Sequence, residues 1–160
     1  MRTILTFLIF IKATLCYASE IDIEAMRNNH FSDLYAYACE LEPEYLISPA
    51  KSENEAAKNE ILLTKGFTSR FSANKYETYF FQLAITNWDQ KFIIMVDKDI
   101  KVDVIDSDKI DENINNYYCV NQKRKIYHFN THEWASYLVT IVSPTDKNVW
   151  ITILPESDYR

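Results

Sequence analysis

Glycine is almost absent from this chain of 160 residues, which contains only Gly66. A phosphate-binding loop needs several glycines, and a nucleophile elbow needs glycines on both sides of its serine. Both kinds of site are therefore excluded. Beyond its N-terminal segment the sequence also lacks an apolar run near the roughly 20 residues that a transmembrane helix needs, so we expect no stable membrane anchor.

Positive charge is the second deficit. The chain has 17 Lys and Arg residues against 23 Asp and Glu residues, and its formal net charge is −6. Loss of residues 1–18, which hold two basic residues and no acid, would leave 15 basic and 23 acidic residues and a net charge of −8. Because nucleic acids and anionic membranes attract the opposite balance, we expect no nucleic-acid partner.

A Lys-Arg-Lys run at residues 123–125 is the local exception. Tyr117, Tyr118 and Tyr127 lie near it, a combination that weakly suggests binding of a single-stranded nucleic acid. Lysines on an edge strand, where they discourage aggregation between sheets, explain the run more simply. The acidic balance of the whole chain favours the second interpretation.

The first residues have the pattern of a secretory signal peptide. Arg2 supplies a short positive region, residues 4–11 form an apolar run, and Cys16 and Ala18 place small residues before a cleavage site. A buried N-terminal strand is one alternative. Lipid attachment to Cys16 is another, but such a site needs a small residue before the cysteine, and a leucine stands there. We therefore predict a signal peptide over 1–18 and a protein that is secreted or periplasmic.

Cleavage would leave two cysteines, Cys39 and Cys119. Two cysteines in an oxidising compartment usually pair, so we predict a structural disulfide between them. The alternative is a catalytic or redox thiol. It lacks support because the sequence has no Cys-x-x-Cys motif and no histidine at a required spacing.

The first part of the mature chain has the periodicity of helices. Apolar residues at spacings of three and four predict a helix that begins at Ser32 and ends before Pro43. A capping box that begins at Ser52 predicts a second helix, which Gly66 would end in a left-handed C-terminal position. Farther along, Ser107 is expected to cap a short third helix.

The second part alternates between apolar and polar residues, as strands do. The predicted strands cover residues 79–85, 92–96, 100–104, 125–129, 134–142 and 149–154. A helix capped by Thr131 is an alternative for the start of 134–142. We predict that residues 19–160 form a single globular α+β domain, with N-terminal helices packed on a curved, mainly antiparallel sheet of about five to six strands.

No motif indicates a cofactor, a metal or catalysis, so we expect a protein that is not an enzyme. The acidic stretch 97–112 lacks the glycine of a calcium-binding loop and is expected to be a solvated face. His128, His132 and Glu133 lie close together in sequence. Histidines four residues apart on a helix could bind zinc, but we place these residues at a strand end and a turn. Surface or half-buried histidines are the simpler interpretation.

Charge and aromatic content favour an exported inhibitor that docks onto a basic protein and blocks it, most sharply a periplasmic immunity protein that neutralises an envelope-delivered toxin or enzyme. Trp88, at a turn tip, is either a contact residue or a lid folded over the core. The candidate partner contacts are Trp88, Asp89, Tyr76, Asp97, Asp99, Asp103, Asp106 and Asp108.

Two other functions stay open. A small-ligand carrier would enclose a cavity lined by residues such as Phe81, Phe92 and Tyr137. A secreted enzyme of unrecognised type would need at least two convergent polar side chains in a cleft, with strongly shifted pKa values.

Overall fold

The computed structural model describes residues 22–44, 47–120 and 123–156. The predicted signal peptide, residues 1–18, lies outside these ranges. No helix within them is long and apolar enough to cross a membrane. Within them the elements are α1 (Ile23–His30), α2 (Ser32–Glu40), α3 (Glu53–Ala56), a 3-10 helix (Ala57–Asn59), β1 (Ile61–Leu62), β2 (Phe67–Ala73), β3 (Thr78–Ala84), β4 (Gln90–Asp97), β5 (Lys101–Val104), β6 (Asp108–Asn115), β7 (Arg124–Thr131), β8 (Ser136–Val142) and β9 (Lys147–Pro155).

The strands form two sheets, with the orders β1-β3-β8-β5 and β2-β9-β4-β7-β6. Neighbouring strands are antiparallel except for the short parallel pair β1 and β3. The predicted α+β class is confirmed, whereas the prediction of one sheet with five to six strands is wrong. Alternation along the sequence identifies strands, but it does not show which of them pair.

The main core lies between the two sheets. Every strand except β6 contributes side chains to it, and aromatic side chains bridge the sheets: the rings of Phe67 and Phe81 are 5.7 Å apart, and those of Phe71 and Tyr79 are 5.1 Å apart. β4 is the middle strand of the five-stranded sheet and is buried on both faces, as its apolar run predicts. Phe92, Ile94 and Val96 face this core, and Ile93 and Met95 belong to a second one.

The second core covers the outer face of the five-stranded sheet. Leu34, Tyr35 and Ala38 of α2 pack there against apolar residues of β4, β6, β7 and β9. The disulfide between Cys39 and Cys119 lies beside this cluster, and its prediction is confirmed. It ties the end of α2 to the loop that precedes β7.

The capping box at Ser52 forms, but the helix that follows it is much shorter than predicted. The Ser52 hydroxyl accepts a hydrogen bond from the Glu55 N–H, and α3 then ends at Ala56. The apolar residues beyond it serve the sheets instead, because β1 pairs with β3 and Leu63 is buried in the core. Tertiary pairing here overrides a local helical preference.

Gly66 does not end a helix, and its φ is not positive. It precedes β2, and a Cβ atom at this position would lie 1.7 Å from Cδ2 of Leu154 and 3.0 Å from the Ile153 carbonyl oxygen. The glycine is needed because the chain passes this closely over β9. The left-handed role predicted for it is wrong.

The short helix predicted after Ser107 is also wrong, because residues 108–115 form the edge strand β6. The four-residue spacing of Ile110 and Ile114 fits a strand as well as a helix, since four is a multiple of the strand period. The Ser107 hydroxyl donates to the Val104 carbonyl and closes a turn in which Asp106 has a φ of 63°.

β7, which contains most of the basic run, lies inside its sheet between β4 and β6. The interpretation of the run as an edge-strand device is therefore wrong. Arg124 is buried, and its guanidinium lies 4.6 Å from the centre of the Trp150 ring. Burial lowers the pKa of this guanidinium.

Candidate partner-binding site

Two exposed tryptophans line one cleft at one end of the molecule. Trp88 lies in the turn between β3 and β4 and is 65% exposed, and Trp134 lies in the loop between β7 and β8 and is 73% exposed. Both line the cleft together with Thr86. The hypothesis that Trp88 is a lid over the core is therefore wrong.

The sheet register brings the two loops together. Gln90 at the start of β4 pairs with Thr131 at the end of β7, so the tryptophan-bearing loops leave the sheet side by side. The Thr131 hydroxyl donates to the Gln90 carbonyl at 2.9 Å, and the Ile85 N–H donates to the Ala135 carbonyl at 2.9 Å. The indoles thus stand on loops that are fastened to each other and to a buried strand.

His132 connects three loops beside the cleft. Its Nε2 lies 2.8 Å from a carboxylate oxygen of Asp108, which begins β6, and its Nδ1 lies 3.6 Å from one of Asp89, which follows Trp88. The hydrogen bond with Asp108 raises the pKa of the His132 imidazole, and Asp89 raises it further. Asp89 has a φ of 49°, a left-handed conformation that aspartate tolerates and that closes the turn.

The structure brings only part of the predicted contact set together. Trp88 lines this cleft, Asp89 follows it in the same turn, and His132 links Asp89 to Asp108. Asp106 lies in the turn that leads to Asp108. Tyr76 precedes β3 whereas Trp88 follows it, so the length of that strand, roughly 20 Å at about 3.3 Å per residue, separates them.

Three of the other predicted acids are paired with lysines of the chain. Asp97 ends β4 and Asp99 lies in the turn after it, and Lys147 Nζ lies 3.5 Å and 2.6 Å from their carboxylates. The hydrogen bond that Lys147 donates to Asp99 lowers the pKa of the Asp99 carboxyl. Asp103 on β5 pairs with Lys109 at 3.2 Å. These three acids therefore do not extend the tryptophan cleft.

Sequence reasoning missed Trp134 and His132 as site residues. Trp134 was included in the strand prediction for 134–142. That strand is confirmed from Ser136, where β8 begins, and the alternative of a helix capped by Thr131 is wrong. A usable signal was present, because the apolar alternation at 137, 139 and 141 does not include position 134. The partners of His132 lie 24 and 43 residues away in sequence and gave no local signal.

A second polar constellation is buried on the outer face of the five-stranded sheet. The Tyr35 hydroxyl lies 2.6 Å from Nε2 of His128, and Nδ1 of the same ring lies 2.7 Å from a carboxylate oxygen of Glu156. Phe31 packs on the imidazole with the ring centres 4.8 Å apart. His128 is 1% exposed, so the expectation of a surface or half-buried side chain is wrong there.

The Tyr35 hydroxyl and the Glu156 carboxylate therefore engage both ring nitrogens of His128 in hydrogen bonds. Burial raises the pKa of Tyr35, which keeps this hydroxyl protonated. A tyrosine, a histidine and a glutamate in a row resemble a proton relay. Tyr35 is fully buried, however, so its hydroxyl is not accessible to a substrate. Its direct effect is to connect α2, β7 and the end of β9.

Among the described residues, no group of three or more His, Cys, Asp and Glu side chains is placed to hold a metal ion. No protein-family model and no curated protein sequence matches this chain.

Proposed function

We propose that this protein is an exported inhibitor that binds a basic protein through the cleft of Trp88 and Trp134 and blocks it. The most specific version of this proposal is a periplasmic immunity protein that neutralises a basic toxin or enzyme delivered to the cell envelope. The observation that carries the proposal is the exposure of two neighbouring indoles, 65% and 73%, on loops tied to each other. Tryptophan is among the residues that supply most binding energy at protein interfaces.

The charge of the surrounding surface supports a basic partner. Asp89 and Asp108 are exposed beside the cleft, and Glu133 is exposed next to Trp134. Opposite electrostatic fields accelerate the encounter of two proteins, and buried aromatic contacts then set the lifetime of the complex. The net charge of −6 for the whole chain adds to the same field.

The packing of the main core favours this function over the carrier alternative. Phe81, Phe92 and Tyr137 would have to line a ligand cavity in a carrier. All three belong to the core between the sheets, where Phe92 stacks on Phe129 with ring centres 5.6 Å apart and Phe81 contacts Phe67. A filled core beside an exposed aromatic surface is the arrangement that the inhibitor requires.

Export is part of the proposal, and the sequence pattern of residues 1–18 and the disulfide support it. Intact-mass measurement of the exported protein tests it directly. We expect loss of residues 1–18 and a mass two hydrogens below that of the reduced chain. A full-length product with two free thiols would contradict export and oxidation together.

Capture of the partner tests the binding function. Residues 19–160 with the disulfide intact serve as bait in an envelope extract, and we expect one stoichiometric basic protein whose activity the bait blocks. The variant W88A/W134A should bind it at least about 30-fold more weakly, because each central tryptophan contributes strongly to an interface. Tyr76→Ala is the matched control, since Tyr76 is equally exposed, at 70%, but lies at the other end of β3.

The function is overturned if the bait captures only chaperones and porins. It is also overturned if W88A/W134A and Tyr76→Ala retain the partner equally. A captured protein that the bait processes chemically would instead support the enzyme alternative.

A further inference from the structure

We propose that the cleft between Trp88 and Trp134 binds the guanidinium group of an arginine side chain from the partner. This inference rests on the proposed function and specifies what the cleft recognises. It joins two independent observations, the pair of unpartnered indole faces and the arrangement of charge around them.

The indole faces are available for a ligand. Within the described ranges, neither Trp88 nor Trp134 takes part in a hydrogen bond or a ring contact, although both line the same cleft. Indole is the aromatic ring that attracts cations most strongly, and the flat guanidinium group can stack on it. The second indole that lines the same cleft offers a second such contact.

The loops around the cleft are negatively charged, and they contain no Lys or Arg side chain that could balance this charge. The sequence of the three loops, residues 85–89, 105–108 and 132–135, contains four acids and no Lys or Arg. His132 is the one group there that can become cationic, and it already bridges Asp89 and Asp108. Within the described ranges no Lys or Arg side chain stacks on either indole, so both faces are left to a cation from a partner.

The same charge distinguishes arginine from other groups that stack on tryptophan. An apolar side chain would shield Asp89 and Asp108 from water without pairing them, which costs free energy. A sugar ring would also stack on the indoles and donate hydroxyls to the carboxylates, but it brings no positive charge to offset theirs. Arginine uses both features, since its five donors can reach carboxylates while its plane covers an indole.

The test is an NMR titration of the indole Nε1–H signals with N-acetyl-arginine amide, and with N-acetyl-citrulline amide as the neutral isostere. The chain has three tryptophans, and Trp150, which is stacked on Arg124, serves as the internal reference. We expect millimolar arginine to shift the signals of Trp88 and Trp134 but not that of Trp150. Citrulline should bind about three- to fivefold more weakly, as expected for cation–π contacts at an exposed site.

Charge variants separate the local carboxylates from the net charge of the protein. D89N/D108N should lower the affinity for arginine by a similar factor and leave that for citrulline unchanged. The matched control is E40Q/E42Q, which removes two exposed carboxylates at the end of α2 and beyond it, and it should leave both affinities unchanged.

Equal affinities for arginine and citrulline would overturn the inference, as would tighter binding of a neutral probe such as a chitin tetrasaccharide. The failure of this inference is distinguishable from that of the proposed function. If the partner is lost in W88A/W134A but arginine is not preferred, the inhibitor function stands and the recognition of arginine falls. If arginine is preferred but no partner is captured, the inhibitor function falls instead.

Discussion

The Tyr35 hydroxyl and Nε2 of His128 share a hydrogen bond of 2.6 Å inside the second core. The pair joins α2 to β7, and Glu156 holds the other side of the imidazole. The Asn116 amide donates to the Tyr35 carbonyl at 3.0 Å, so the same helix is also fixed through its backbone. Buried polar groups of this kind stabilise a fold only while every partner is present.

Tyr35→Phe is therefore expected to lower the free energy of unfolding by about 1–3 kcal/mol, because it leaves a buried nitrogen of His128 without a partner. Urea denaturation measures the change. Tyr76→Phe removes a hydroxyl from an exposed ring and should stay within about 0.5 kcal/mol of the wild type. Equal stabilities of the two variants would show that the Tyr35–His128 hydrogen bond contributes nothing measurable.

The disulfide should contribute strongly to stability. It closes a loop with a sequence separation of 80 residues. Removal in the variant C39A/C119A is expected to lower the free energy of unfolding by about 2–5 kcal/mol, largely because the unfolded chain regains conformational freedom. Dithiothreitol should destabilise the wild type by a comparable amount and leave the variant unaffected. A wild type that is insensitive to reduction would contradict this assignment.

Gly66 and Leu154 should show coupled effects on stability. Gly66→Ala places a methyl group where the Leu154 side chain lies, and overpacking of this kind costs about 1–3 kcal/mol. Leu154→Ala alone creates a cavity and costs about 2–5 kcal/mol. In G66A/L154A the new methyl group enters that space, so the double variant should be less destabilised than the sum of the single variants by about 1 kcal/mol or more. Additive losses in urea denaturation would show that Leu154 already avoids the new methyl group.

The parts of the fold that followed from sequence are those set by local pattern. The apolar run of β4 predicted a strand buried on both faces, and it is the middle strand of its sheet. The stripe that begins at Ser32 predicted α2, and the two remaining cysteines predicted the disulfide. A few neighbouring residues were sufficient to predict the strand and the helix, and the expected oxidising compartment was sufficient to predict the disulfide.

β2 was missed because its burial depends on distant partners. Thr68 and Ser69 are buried polar residues, which in sequence resemble a loop. Their hydroxyls are satisfied by Thr152 at 2.9 Å and by the Ile47 carbonyl at 2.6 Å, 84 and 22 residues away. Local periodicity contains no information about such partners, and the strand was therefore not predictable from it.

The same limitation applied to the candidate site. Trp88 and Asp89 were identified from their place in a turn, but their association with Trp134 depends on the pairing of Gln90 with Thr131. That register is a property of the assembled sheet. Sequence proximity instead grouped the cleft with Asp97, Asp99 and Asp103, which the structure places elsewhere and pairs with lysines.

Proton binding to His132 should regulate the cleft. Its pKa is raised above the ordinary value of 6.5, chiefly by the hydrogen bond with Asp108. The stability that this interaction gives is therefore fully present below about pH 6.5 and is lost as the pH rises through the raised pKa. Binding of a cation in the cleft has the opposite dependence. Protonated His132 offsets part of the negative charge of Asp89 and Asp108, so the affinity for N-acetyl-arginine amide should increase as the imidazole loses its proton. His132→Gln should abolish this pH dependence of the affinity.

The titration of His132 can be followed through its ring proton signals, and the carboxylates should affect it unequally. Asp108→Asn should lower the pKa of His132 more than Asp89→Asn does, because Nε2 lies 2.8 Å from Asp108 whereas Nδ1 lies 3.6 Å from Asp89. Asp97→Asn, at the far end of β4, is the control and should leave the titration unchanged. A pKa at or below 6.5 in the wild type, or equal effects of the two variants near the cleft, would contradict the arrangement of the three loops around this histidine.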